Sequence, residues 1–151
     1  MAILLLNEWI WHDLSGENGV ARQREAVGVL LKIVDGTDQL VVVAGSKFQE
    51  KLFRFLKSGR PEHRSMAAVI KSLMLDRARA IIVDGEDLAA IPPEMAEHCN
   101  PDDHYLVRAL IAVPGSTLVT TDGALLAACV AGARNCVHRK DWLPSFLGET
   151  H

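Results

Sequence analysis

The chain has 151 residues, of which 49 % are hydrophobic and 23 % are charged, and its formal net charge is −3 at pH 7. This length and composition predict one globular domain over residues 1–151 and exclude a long disordered tail. The slightly acidic balance excludes bulk attraction to polynucleotides, so a contact with nucleic acid would need a local group of cations or a metal ion.

Short apolar runs alternate with helix-length stretches along the chain. The runs are too short for helices and several are rich in Val or Ile, which predicts buried strands at Ala2–Leu6, Leu40–Ala44, Ala80–Val83, Ser116–Thr120 and Asn135–His138. Helices are predicted between them at Ala21–Val34, Ser46–Lys57, Arg64–Arg77, Asp102–Val113 and Ala124–Ala131. This alternation is typical of a doubly wound α/β sandwich with a parallel sheet.

The cysteines and the first residues of the chain indicate the cellular compartment of the protein. The three cysteines form no CxxC pair, which predicts reduced thiols in a cytoplasmic protein. The apolar run Met1–Leu6 meets Glu8 and Asp13 too soon for a signal peptide or a membrane span. We therefore expect no disulfide and no membrane partner.

Polar residues follow the ends of several predicted strands. Asn7 and Glu8 follow the first strand, Asp84 the third and Asp122 the fourth, while Glu50 lies about one helical turn after the second. Ligands of open parallel sheets bind outside the carboxyl ends of the strands, so these side chains are expected at one edge. Crowded carboxylates repel each other unless a cation is present, which points to a metal ion with oxygen ligands.

The acids of the second half also have a structural interpretation. In Asn100–Asp103, the asparagine can cap a helix while Asp102 and Asp103 complement its dipole, and Asp122 can cap the next helix. Asp103 is favoured over Asp102 as a ligand because it shares a helical face with apolar residues that point toward the core. Thr120 shares its side of the strand with Asp122 and can hydrogen-bond a carboxylate or a metal-bound water.

Glu50 lies in an amphipathic helix whose charged side also carries Lys47, Arg54 and Lys57. One interpretation is a solvated face with a Glu50–Arg54 ion pair. The other is that Glu50 faces the crevice while the three cations hold phosphates beside it. The spacing alone leaves both interpretations open.

Four segments together resemble the PIN-domain nucleases, which include the toxins of many bacterial toxin–antitoxin pairs. Asn100–Ala109 and Leu118–Leu126 look like that family's acid-bearing helix and its "VT-x-D" strand end. Val41–Leu52 is similar to its glutamate segment, and Ile3–Leu14 occupies the place of its opening strand. The resemblance implies a three-layer α/β/α sandwich with strand order 3-2-1-4-5, bound Mg²⁺ or Mn²⁺, and hydrolysis of single-stranded RNA. It also implies a homodimer and an antitoxin protein as partners.

The resemblance also implies the members of the site. Catalytic roles fall to Glu50, Asp103 and Asp122; metal ligation to these three with Asn7 and Asp102; support to Thr120 and Glu8; and RNA phosphate contacts to Lys47, Arg54 and Lys57. The family opens with an aspartate where this chain has Asn7, which offers a carbonyl oxygen but no charge, so metal affinity and water activation should fall. Glu8 can substitute only if the strand has already ended, because neighbouring strand residues point to opposite faces. Asp13 is a weaker substitute.

Two other functions stay open. A catalytically weakened or inactive PIN-like module, used for binding or dimerisation, would explain Asn7. A phospho-acceptor receiver domain would use Asp84, Thr120 and Lys140, which lie at or after the ends of the third, fourth and fifth strands. The receiver interpretation lacks an acidic pair after the first strand.

Overall fold

The computed structural model describes residues 1–148 and contains one parallel sheet. Its strands are β1 (Ile3–Leu6), β2 (Gln39–Ala44), β3 (Ala80–Asp84), β4 (Ser116–Thr120) and β5 (Cys136–His138). They lie in the order β3-β2-β1-β4-β5, and each neighbouring pair is parallel. The predicted five-stranded parallel sheet and its 3-2-1-4-5 order are confirmed.

Helices cover both faces of this sheet. Within residues 1–148 they are α1 (Trp9–Ser15), α2 (Val20–Asp35), α3 (Lys47–Leu56), α4 (Pro61–Met74), α5 (Pro93–Ala96), α6 (His104–Ala112), α7 (Gly123–Ala131) and α8 (Arg139–Leu147). Leu4 and Leu6 of β1 belong to one hydrophobic core, with α1–α4 and α8, whereas Leu5 belongs to a second core with α5–α7. Because neighbouring strand residues face opposite sides, the two cores lie on opposite faces. The predicted three-layer sandwich is confirmed.

Three observed helices were not predicted, and two predicted helices start two or more residues away from the predicted position. The short helix α5 was not predicted, and neither were α1 and α8: α1 starts directly behind β1 without a turn signal, and α8 contains Pro144, which removes a backbone donor. The helix predicted at Asp102–Val113 starts as a 3₁₀ turn over Pro101–Asp103 and continues as α6. The helix predicted at Arg64–Arg77 begins earlier, at Pro61, and ends at Met74.

Two further predictions can be compared with the described residues. All three cysteines are free thiols, and two of them, Cys99 and Cys129, are buried. Among residues 1–148, no helix combines the length and the apolar character needed to cross a membrane.

The strand order fixes where a site can form. β1 lies between β2 and β4, so the chain runs outward from β1 on one side and returns on the other. Such a reversal opens a crevice at the carboxyl ends of the two central strands. Asn7 and Glu8 follow β1, and Thr121 and Asp122 follow β4, so these four residues lie at the crevice.

Candidate functional site

A polar cavity of about 530 Å³ lies at this crevice. It is lined by residues that follow β1 and β4, by the start of α6, by the α1–α2 region and by the end of β5: Asn7, Glu8, Trp9, His12, Asp13, Asn18, Arg22, Asp103, Thr121, Asp122 and His138. The volume lies within the range of about 300–1,000 Å³ that is usual for small-ligand pockets. Four of the predicted site residues, Asn7, Glu8, Asp103 and Asp122, therefore line one cavity.

A hydrogen-bond network joins the ends of β1 and β4 beneath the cavity. Asn7 Nδ2 donates to Thr120 Oγ1 at 3.0 Å, and the same oxygen accepts from the backbone N–H of Asp122 at 3.0 Å. Thr120 is fully buried, and its two hydrogen bonds fix the positions of Asn7 and of the Asp122 backbone. Asn7 Oδ1 accepts from the backbone N–H of Glu8 at 2.7 Å, which leaves this oxygen only part of its accepting capacity.

Glu8 lies beyond the end of the strand. β1 ends at Leu6, and Glu8 has the helical dihedral angles φ −61° and ψ −12° as α1 begins. Its Oε1 atom is buried and has no hydrogen-bond partner among residues 1–148. A buried carboxylate oxygen without a donor is unfavourable, so this side chain is suited to a cation. Glu8 can substitute for the aspartate that the resembling family carries at the position of Asn7 only if the strand ends before Glu8. β1 does end before Glu8.

Asp103 lines the cavity, and its carboxylate does not cap the helix that follows it. It occupies the N-cap position of α6 without a side-chain capping bond. Burial, followed by the negative charge of Asp122, raises the pKa of the Asp103 carboxyl; Lys47 opposes this, and Glu8 and Asp102 add to it. A bound cation would have the opposite effect, because it stabilises the ionised form.

Asp122 and Asp102 both have partners in the protein. Asp122 Oδ1 accepts from the backbone N–H of Ala124 at 2.8 Å and so caps α7, as its structural interpretation requires, but the residue also lines the cavity. The Asp102 side chain is 70 % exposed, and its Oδ2 lies 3.3 Å from Lys47 Nζ. Asp102 is not among the residues that line the cavity, so the structure separates it from Asp103.

Glu50 and the predicted phosphate contacts lie beside the cavity, on α3. Glu50 is exposed and lines a smaller cleft of about 190 Å³ with Glu8, Lys47, Lys51 and Arg54. Only Glu8 of this group also lines the larger cavity. Arg54 and Lys57 border a further cleft together with Glu50 and Phe53.

One predicted contact of Glu50 is absent. Among the ion pairs of residues 1–148, none joins Glu50 to Arg54. Both side chains are exposed, where pairing of long side chains gains little in water. The ion pair expected in the structural interpretation of α3 was wrong, although the face is solvated as that interpretation requires.

A buried ion pair under the cavity was missed by the sequence analysis. Asp13 has 0 % exposure and Arg139 has 4 %, and Arg139 Nε lies 3.0 Å from Asp13 Oδ2. The N–H is not aligned for a hydrogen bond, so the contact is electrostatic. Arg139 also donates from Nη2 to Glu25 at 3.2 Å, and its guanidinium lies 5.2 Å from the centre of a Trp9 ring. Asp13 is therefore committed to an ion pair, and α1 and α8, which carry the pair, gave no local signal for it.

The residues of the cavity offer oxygen atoms to a cation. Among residues 1–148, no three His, Cys, Asp or Glu side chains are arranged to hold a metal ion together. Two observations nevertheless fit a cation here: Glu8 Oε1 is buried without a partner, and the pKa of Asp103 is raised by burial and by its acidic neighbours. Carboxylate and amide oxygens are the ligands that Mg²⁺ and Mn²⁺ prefer.

The strand order bears on the receiver interpretation. Receiver domains have the flavodoxin-like order 2-1-3-4-5, whereas here the order is 3-2-1-4-5 and Asp84 ends the edge strand β3. Asp84 Oδ1 accepts from the backbone N–H of Glu86 at 3.0 Å and so caps a 3₁₀ turn. Asp84 therefore lies at the sheet edge, away from the strand reversal between β1 and β4, and serves as a cap.

No family model matches the chain, and no solved structure matches it at a significant level. The function is therefore inferred from the residues of the cavity.

Proposed function

We propose that this chain is a metal-dependent, PIN-like endoribonuclease that hydrolyses single-stranded RNA. The observation that carries the proposal is that Glu8, Asp103 and Asp122 line one cavity at the strand reversal, where one oxygen of Glu8 is buried without a partner. The resemblance of the acid-bearing segments to PIN-domain nucleases adds to it. Mg²⁺ or Mn²⁺ is the expected cofactor.

Each residue at the cavity has a proposed role. Glu8, Asp103 and Asp122 would hold the ion, and Glu8 would replace the aspartate that the family carries at the position of Asn7. Thr120 holds Asn7 and the backbone of Asp122 in place through its two hydrogen bonds. The ion would polarise the scissile phosphate and lower the pKa of a bound water, which is the chemistry that such metals supply.

The RNA strand is proposed to pass along α3. Lys47 and Arg54 border the cleft that also contains Glu8, and Lys57 borders the next cleft along the helix. The protein as a whole carries a net charge of −3, so a local row of cations is needed to hold a polyanion. In this arrangement Glu50 lies between the cations and next to the cavity.

Cleavage of end-labelled single-stranded RNA tests the proposal. Wild type should cleave with Mn²⁺ and not with EDTA, and Asp122→Asn should be slower by about 100-fold or more, because a charged ligand is lost. Asparagine caps helices as well as aspartate does, so α7 should keep its cap. The matched control is Asp35→Asn, which neutralises an exposed acid that lies outside the cavity and should cleave like wild type. Equal rates for both variants, or cleavage in EDTA, would contradict the assignment.

The second candidate is a PIN-like module with weakened or lost catalysis. It is favoured by Asn7, which brings no charge and whose amide oxygen already accepts a backbone hydrogen bond. An intact metal site should raise Tm with Mn²⁺ concentration as RT ln(1 + [L]/Kd) requires, whereas a lost site should not. A rise in Tm without cleavage of RNA would favour the weakened module.

The partners and the location are also proposals. Leu31 and Val34 are 56 % and 41 % exposed and border an apolar cleft between α2 and α4, which supports a homodimer or an antitoxin contact there. Sedimentation of wild type and Leu31→Glu tests this surface: self-association should be lost in the variant.

The free thiols agree with the proposed cytoplasmic location.

A further inference from the structure

The lining of the cavity includes residues that the proposed metal site does not use. They are His12, Asn18, Arg22 and His138, contributed by α1, the α1–α2 connection, α2 and β5. These side chains carry N–H groups, which donate hydrogen bonds, whereas the proposed metal ligands are carboxylates. The same cavity therefore combines hydrogen-bond donors with acids.

The buried carboxylate of Asp13 holds two of these donors over the cavity. Asn18 Nδ2 donates to Asp13 Oδ1 at 2.8 Å, and Arg22 Nη1 lies 4.0 Å from the same oxygen. Asp13 itself is fixed from below, because its other oxygen faces Arg139 at 3.0 Å. The Arg22 side chain is 47 % exposed, so it remains accessible to a further partner.

His138 adds a hydrogen-bond donor, because its capping contact fixes which ring nitrogen carries the proton. Its Nδ1 accepts from the backbone N–H of Lys140 at 3.1 Å, where it caps α8. A neutral imidazole whose Nδ1 accepts a hydrogen bond carries its proton on Nε2. His138 therefore brings an Nε2–H donor on a side chain that lines the cavity.

We infer that Arg22 and His138 form a phosphate subsite that binds the RNA phosphate next to the one hydrolysed. The inference rests on the proposed function for its ligand, single-stranded RNA. A guanidinium presents paired N–H groups that match the oxygens of a phosphate, and Nε2–H of His138 supplies a further donor. The carboxylates of the same cavity repel phosphate until a cation neutralises them, so the subsite should act when metal is bound.

Binding of fluorescein-labelled pentauridylate, measured by anisotropy in Ca²⁺, tests the subsite. Arg22→Gln should weaken binding by about tenfold or more, the effect of losing a hydrogen bond with a charged partner. The control Arg24→Gln removes the same charge from an exposed residue of α2 that lies outside the cavity, and should bind within about twofold of wild type. Equal losses in both variants would overturn the inference.

Two substitutions at His138 separate its donor from its capping role. His138→Asn keeps an acceptor for the Lys140 N–H but lacks the reach of Nε2, so it should preserve Tm and weaken binding. His138→Gln places an amide nitrogen near the position of Nε2, so it should lose some stability and keep most of the binding. The reverse pattern would show a structural role only and would overturn the inference.

The position of the bound phosphate can be measured with pentauridylates that each carry one uncharged methylphosphonate linkage. One such linkage should weaken the binding of wild type by about tenfold but that of Arg22→Gln by less than about twofold, because the two changes remove the same contact. Losses that are equal in the two proteins for every linkage would overturn the inference.

Parallel assays of Mn²⁺-dependent cleavage separate failure of the subsite from failure of the nuclease. If wild type cleaves RNA and Arg22→Gln binds it with unchanged affinity, the subsite is wrong while the nuclease stands. If affinity depends on Arg22 and His138 but Mn²⁺ never produces cleavage, the phosphate subsite is supported and the nuclease is wrong.

Discussion

The cavity at the strand reversal and the charged face of α3 carry the same kinds of side chain in different surroundings. In the cavity, one oxygen of Glu8 is buried without a partner, and burial and Asp122 raise the pKa of Asp103. On α3, Glu50 is exposed to solvent among Lys51 and other cations. An exposed carboxylate is solvated by water, whereas a buried one requires a proton, a donor or a cation. Burial therefore distinguishes the two groups of acids more clearly than their residue types do.

The largest difference is expected in catalysis. Asp103→Asn should lower kcat/KM for single-stranded RNA by about 100- to 1,000-fold, the range for losing a group that stabilises charge in the transition state. Glu50→Gln should lower it by less than about fivefold, since the exposed position makes Glu50 a weaker ligand. Steady-state cleavage with Mn²⁺ measures both values. A loss at Glu50 as large as that at Asp103 would show that the two regions form one site.

The buried ion pair next to the cavity should contribute more to stability than an exposed ion pair elsewhere in the chain. Asp13→Asn removes the charge that faces buried Arg139, and should lower the free energy of unfolding by about 3 kcal/mol, as expected for breaking a buried pair. The control Glu62→Gln breaks the exposed Arg60–Glu62 pair and should leave urea unfolding unchanged.

A double variant tests the origin of that loss. Adding Arg139→Met to Asp13→Asn should recover part of the stability, because the uncompensated buried charge is gone. If Asp13→Asn alone unfolds at the same urea concentration as wild type, the Asp13–Arg139 pair does not support the cavity.

Asn7→Asp should increase Mn²⁺ affinity and cleavage, by a smaller factor than the losses above. The new carboxylate can still accept from the Glu8 N–H, and the Thr120 hydroxyl can rotate to donate to it, so the fold should persist. One more charged oxygen ligand should tighten Mn²⁺ binding by about tenfold, with a corresponding rise in cleavage. Calorimetric titration of both proteins measures the affinity. Unchanged Mn²⁺ affinity in the variant would indicate that residue 7 lies outside the metal's coordination shell.

The smallest effect concerns stability against pH in the metal-free protein. Because the pKa of Asp103 is raised in the folded state, the folded protein binds more protons than the unfolded chain above pH 3.8, and stability falls as pH rises through the folded pKa. Asp103→Asn should therefore have a higher Tm than wild type at pH 7, and the difference should shrink as pH falls toward 3.8. Melting curves with EDTA across this interval measure it. A lower Tm for the variant at pH 7 would contradict the raised pKa.

The sequence predicted the strands well because each is a short apolar run, and β1, β2 and β4 are mostly buried. The strand at Ser116–Thr120 was predicted to the residue, and each of the others differs by one residue at one end. The strand order came from the resemblance to a known family and not from the residues themselves. Of the three missed helices, α1 and α8 have weak local signals, and tertiary packing of Trp9, Trp11 and Leu143 stabilises them.

The candidate site was predictable only where local spacing carries the information. That polar residues follow the carboxyl ends of the strands can be deduced from the sequence, and so can the caps at Asn100 and Asp122. The burial of Glu8 cannot, since it depends on where β1 ends and on how α1 packs. The Asp13–Arg139 pair joins helices at opposite ends of the chain, so no local pattern predicts it.

Calorimetric titration of Mn²⁺ into wild type and four variants tests whether the acids of the cavity form a metal site. Wild type should bind the ion, and Asp103→Asn and Asp122→Asn should each weaken its binding by about tenfold or more, since each removes a charged ligand. Glu50→Gln and the exposed control Asp35→Asn should bind it within about twofold of wild type. No binding by wild type, or equal affinity in all five proteins, would contradict the account.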